Sequence, residues 1–135
     1  ITGTLHLESR ALDGGCTVIA FAGTDTYLTR SDNTGSYVLR VTAGAWTLRA
    51  ETTHYLRRAL TGLTVTTSSL LNQNIGVLYA GDADGDNMIS IFDGSITKYA
   101  LDRGTGNPAA DHVDPAGVTA TDLQAVRDNF GRKGD

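Results

Sequence analysis

The chain has 135 residues, 40% of them hydrophobic and 19% charged, with 16 glycines, two prolines and one cysteine, Cys16. That length holds one domain or two small ones, and a lone cysteine excludes an internal disulfide and the paired thiols of a zinc or iron–sulfur site. The net charge of −4 is unevenly divided: residues 1–80 carry six arginines against five acids, net +1, and residues 81–135 carry five basic residues against ten acids, net −5. An acidic second half suits cation binding and offers no basic face to nucleic acid.

No apolar run is long enough to span a bilayer, so no membrane insertion is expected. The sequence starts at Ile1 without a basic leader and reads as a fragment of a longer protein, monomeric in isolation.

Through residue 80, apolar and polar positions alternate over short runs separated by Gly, Asn, Asp and Ser, the pattern of antiparallel strands with one wet face. Strands are expected near 2–8, 16–22, 26–30, 36–42, 45–51, 56–60, 62–67 and 72–78. Tyr37, Leu39 and Val41 fall on one face of their strand, as do Trp46, Leu48 and Ala50, with Asp32-Asn33-Thr34-Gly35 and Ala43-Gly44 as turns. Seven or eight such strands predict an all-β antiparallel sandwich.

Residues 1–80 resemble the carboxypeptidase-regulatory-like or transthyretin-like, Ig-like sandwiches, including those related to the B repeats of Gram-positive surface proteins. The resemblance rests on Gly3-Thr4-Leu5, Thr17 to Phe21, Ser31 to Leu39 and Ala43 to Ala50, with Tyr55 beyond. It implies an architecture and no activity. Some of those relatives carry a lysine isopeptide crosslink, which this half cannot form, because the only lysines are Lys98 and Lys133.

At Gly81 the pattern changes. Asp82, Asp84 and Asp86 alternate, Met88 follows with its carbonyl, Ser90 stands where a water-mediated ligand is usual, and Asp93 closes the twelve-residue loop. Calcium takes six to eight oxygen ligands, and an EF-hand-type loop supplies them at these positions. Ile89 is the apolar residue that would anchor the loop to a core. A solvated Asx turn would need neither Ile89 nor Asp93. A helix is expected over Ile91 to Leu101, then a connector, Arg103 to Pro108, then a second helix over Ala120 to Asn129.

The unit repeats at a spacing of 29 residues: Asp82 with Asp111, Ile89 with Val118, Asp93 with Asp122, Lys98 with Arg127, Leu101 with Phe130. The second loop has Val113 and Pro115 where the first has Asp84 and Asp86. Two readings stay open for it. Asp111, Asp114, the Gly117 carbonyl and Asp122 would form a second, weaker calcium site; or Thr119-x-x-Asp122, like Ser90-x-x-Asp93, is a helix capping box that needs no metal.

Tandem loop–helix units, each closed by Asp, with no helix before the first loop, resemble a dockerin over residues 81–135. A sandwich directly before it is similar to the X modules that accompany some dockerins. The resemblance implies a noncatalytic, secreted or cell-surface assembly part in which calcium orders the loops and a cohesin of a scaffolding protein is the partner, as in cellulosomes of polysaccharide degradation. It also implies a contact face: Ile91, Phe92, Ser95, Lys98 and Tyr99 in repeat one, and Ala120, Thr121, Arg127 and Asp128 in repeat two. Ile91-Phe92 is an apolar pair and Ala120-Thr121 a small, polar one, which predicts one preferred docking orientation.

Nothing in the sequence assembles a catalytic site. His6, His54 and His112 are scattered, with His54 expected at the surface, and the only glutamates are Glu8 and Glu51. A glycosidase pair across a cleft and the hydrolase, zinc-protease and P-loop motifs are missing. The alternatives to docking are a calcium-stabilised structural module of a secreted adhesin, or a carbohydrate-binding sandwich using Tyr27, Tyr55 or Phe21.

Overall fold

The structure, a computed structural model, describes residues 1–67, 72–113 and 117–135. Among the described residues the fold is mostly β, with two sheets and two α-helices. The strands are β1 (Thr2–Leu7), β2 (Thr17–Ala22), β3 (Asp25–Arg30), β4 (Ser36–Val38), β5 (Gly44–Glu51), β6 (Arg58–Val65) and β7 (Asn72–Leu78). Helices α1 (Ile91–Arg103) and α2 (Ala120–Asp128) follow, with a 3-10 turn, Pro108–Ala110, between them. One sheet has the order β4-β1-β7 and the other β3-β2-β5-β6. The arrangement is consistent with a β-sandwich.

Alternation in the sequence sets the faces. Val18 and Ala20 on β2, and Trp46, Leu48 and Ala50 on β5, are buried, as are Leu5 on β1, Tyr37 on β4 and Ile75 on β7. Two expected strands, 56–60 and 62–67, form the single strand β6 instead. Gly62 lies inside it at φ 73°, so glycine allows the chain to continue where a side chain would have forced a break. The 32–35 turn is an Asx turn: Asp32 Oδ1 accepts from Thr34 N, Thr34 Oγ1 and Ser36 N, and these bonds lower its pKa.

Gly3 marks a close approach of β1 to β7. A Cβ there would lie 1.8 Å from the Gln73 carbonyl oxygen, which accepts the Tyr37 hydroxyl at 2.6 Å. Gly3→Ala is therefore expected to cost about 3 kcal/mol in a urea titration, whereas the exposed neighbour Thr4→Ala should stay within about 0.5 kcal/mol.

The chain divides into two compact units. The first comprises Ile1–His6, Leu12–Thr52 and Arg57–Leu78; the second comprises Leu7–Ala11, Thr53–Leu56 and Tyr79–Asp135. The second unit has its own small core of Leu56, Ile89 and Val126, against which Tyr79 packs. Its short segments are fastened by polar bonds. Tyr55 and Ala80 form an isolated bridge, the Tyr55 hydroxyl donates to the carbonyls of Glu8 and His112, and the Glu8 carboxylate accepts from Ala80 N and Asn129 Nδ2.

Candidate functional site

The first loop is built from aspartates that cap backbone amides. Asp82 accepts from Gly85 N at 2.9 Å and Asn87 N at 3.0 Å, Asp84 from Asp86 N at 3.1 Å, and Asp86 from Met88 N at 2.8 Å. This winding brings one carboxylate oxygen each of Asp82, Asp84 and Asp86 within 4.8 Å of one another. Asp84 and Asp86 are exposed and Asp82 is buried. Burial pushes the Asp82 carboxyl up; the amides of Asn87 and Gly85 pull it back, Asp93 and Asp86 add repulsion, and the net pKa is raised. Three converging carboxylates, one of them desolvated, make a locus that a cation would relieve.

Ile89 is fully buried, as the loop-anchor reading expects, and both of its backbone groups are tied: its amide to the Arg132 carbonyl and its carbonyl to the Gly131 amide. The bridge that follows pairs Met88 with Lys133 through residues 87, 89, 132 and 134, so the Met88 carbonyl takes no part in it.

Asp93 lies outside the carboxylate cluster. Its Oδ1 accepts from Ala83 N and Asp84 N, and its Oδ2 from Ser90 N, closing a capping box at the N-terminus of α1. Ser90 is the N-cap, accepting from Phe92 N at 3.1 Å. The same bonds recur 29 residues on: Asp122 Oδ1 accepts from His112 N and Val113 N, and Oδ2 from Thr119 N. Burial would raise the Asp122 pKa, but the bonds from Thr119, His112 and Val113 outweigh it and the carboxyl titrates lower than usual. The internal repeat is thus visible bond by bond. Of the remaining second-loop residues, Asp111 and Gly117 are half-buried, and Asp114 lies outside the described residues.

His112 is fully buried, and His54 is half-buried at φ 68° instead of standing at the surface. The two rings meet edge to face at 5.6 Å, and His112 Nε2 lies 3.0 Å from Thr97 Oγ1 of α1. Burial, reinforced by repulsion from His54, pushes the His112 imidazole down to about 4, against the pull of Asp122 and Asp93. The folded state therefore holds a neutral ring. Its contribution is complete above the ordinary value of 6.5 and is lost as pH falls toward 4, about 3 kcal/mol across that window. Urea midpoints at pH 7 and pH 4.5 should show this loss, and His112→Gln should flatten the slope.

Helix α1 is inverted in its amphipathicity. It buries Asp93, Thr97 and Ala100 and leaves Ile91 65%, Phe92 67% and Tyr99 57% exposed. Ile91, Ser95 and Tyr99 stand one turn apart on one face, with Phe92 beside them. Ser95 donates to the Ile91 carbonyl, Lys98 pairs with Asp102 at 2.6 Å, and the Arg103 guanidinium lies over the Tyr99 ring at 4.8 Å. Ala120, Thr121, Arg127 and Asp128 on α2 are also exposed. Phe130, 60% exposed, is an apolar surface residue that the candidate set omits; its repeat position opposite Leu101 was the available signal.

Among the aromatics considered as sugar platforms, Tyr55 is buried, Phe21 lies under the Arg49 guanidinium and Tyr27 meets Trp46 edge to face at 5.4 Å. Cys16 is buried and its thiol is pushed up to about 12 by burial, so it is no nucleophile or ready metal ligand.

No protein-family model and no curated protein matches the chain. Solved structures do. A chain from the Coh3ScaB–XDoc_M2ScaA complex, a C-terminal interface mutant of a type II cohesin–X-dockerin complex from Acetivibrio cellulolyticus, matches with a TM-score of 0.78 and 19% identity over 98% of this chain and 96% of that one. A chain from the corresponding N-terminal interface mutant, the Coh3ScaB–XDoc_M1ScaA complex, matches at 0.80 and 20% over the same shares. At that identity the likeness is one of fold, extending over nearly the whole of both chains.

Proposed function

We propose that the chain is a noncatalytic docking part: a sandwich followed by a dockerin-like pair of loop–helix repeats that binds a cohesin and attaches an extracellular parent protein to a scaffold. The observation that carries this reading is α1, whose large apolar residues face solvent directly after a loop of converging carboxylates. A helix spends apolar side chains on its wet face when a partner covers them. The neighbouring folds come from complexes of cohesin with X-dockerin, and the tandem Asp-closed loops with their helices favour the dockerin side of such a pair.

Calcium fits the first loop. Asp82, Asp84 and Asp86 would hold it, and the twelve-residue loop pattern would add the Met88 carbonyl, a water on Ser90 and the closing carboxylate of Asp93 once the ion draws it in. A bound divalent ion neutralises the cluster and couples loop closure to the start of α1.

Passage of the chain over an immobilised type II cohesin and over a polysaccharide resin separates the readings. Retention on cohesin in calcium, released by a chelator, is the expected result. Retention on the polysaccharide alone would favour the carbohydrate-binding sandwich, and passage through both the structural module.

A further inference from the structure

The second loop departs from the first in ways that remove its use for a metal. In loop one the carboxylates at the third and fifth ligand positions, Asp84 and Asp86, are exposed and converge with Asp82. In loop two the third position is Val113, 4% exposed, and the fifth is Pro115, which has no side-chain oxygen.

The closing carboxylates differ as well. A carboxylate offers about four lone-pair sites. Asp93 uses three, on Ala83 N, Asp84 N and Ser90 N. Asp122 uses all four, because Thr119 Oγ1 adds a bond at 3.0 Å to those from His112 N, Val113 N and Thr119 N. Among the side chains of loop two this leaves the carboxylates of Asp111 and Asp114, where loop one offers Asp82, Asp84 and Asp86 besides its closing Asp93, a poor set for a cation that takes six to eight oxygens.

The loop is fastened by other means. His112 occupies the second loop position, is fully buried, reaches Thr97 Oγ1 with its ring and accepts the Tyr55 hydroxyl at 2.9 Å on its carbonyl. Its counterpart in loop one is Ala83, which has no such reach. Tyr55 and Thr97, from two other segments of the second unit, thus hold His112, while Asp122 ties His112 and Val113 to the start of α2.

We propose that the second loop is metal-independent, locked by hydrogen bonds to His112 and Asp122, and that the chain takes one calcium ion. The count of one rests on the first loop being the calcium site; the metal independence of the second does not. Calorimetric titration of the full chain with calcium chloride, beside the variant carrying Asp84→Ala and Asp86→Ala at exposed positions, tests both. One ion for the wild type and none for the variant is expected. Two ions for the wild type, or one retained by the variant, would overturn the proposal. No ion for either would sink the calcium reading of loop one and leave loop two metal-free. Asp122→Asn supplies a second arm. It should lower the unfolding midpoint by roughly 5 to 10 °C, equally in calcium and in chelator; a loss seen only in calcium would mark Asp122 as a ligand.

Discussion

Replacing Ile91 and Phe92 together by alanine is expected to weaken cohesin binding by about 100-fold or more while leaving the unfolding midpoint within about 2 °C. Both side chains are about two-thirds exposed, so the folded chain loses little when they are truncated. Covered by a partner, each would contribute about 1.5–3 kcal/mol, and about 1.4 kcal/mol is tenfold in affinity. Alanine also has the higher helix propensity, which offsets any small loss in α1. The corresponding change in repeat two, Thr121→Ala, should alter affinity by less than about threefold, because a small polar side chain at an exposed position has little to contribute. Equal losses from the two repeats would contradict a single docking orientation led by α1.

Removal of calcium should loosen the second unit and leave the first largely unchanged. Asp82 is buried among Asp86 and Asp93, and its raised pKa records the cost of keeping that group charged without a counter-ion. An ion at about a thousand times its dissociation constant stabilises the folded state by about 4 kcal/mol. A chelator should therefore bring down the helical circular-dichroism transition by on the order of 10 °C or more, with the sheet-derived near-ultraviolet signal of Trp46 persisting to higher temperature. Asp82→Ala should melt at one temperature in calcium and in chelator. A wild-type transition insensitive to chelation would show that the Asx turns alone hold the loop.

Much of the fold was legible because its signals are local. Period-two alternation identified the buried residues Tyr37 and Leu39 and the buried face of β5, and the capping boxes at Ser90 and Thr119 fixed where both helices start. The β6 boundary differs because Thr61-Gly62 reads as a break, whereas the strand runs on through a register shift there, with Gly62 at positive φ and pairing to β5 on both sides. The carboxylate cluster of loop one followed from spacing alone. What spacing could not show is the long-range fastening of the second unit: Tyr55 reaches partners 47 and 57 residues away, and Asn129 reaches Glu8 across 121. Burial of His112 has no periodic signature, since a polar residue in a degenerate loop carries no pattern that points inward. The inverted face of α1 was readable in part, from the adjacent apolar pair Ile91-Phe92 in a first helical turn.

Calorimetric titration of the chain into a type II cohesin, once in millimolar calcium and once after complete chelation, tests the central claim most directly. The account predicts one-to-one binding at or below about 1 μM in calcium, and at least a 100-fold weakening without it. Absence of binding in calcium, or the same affinity after chelation, would contradict it.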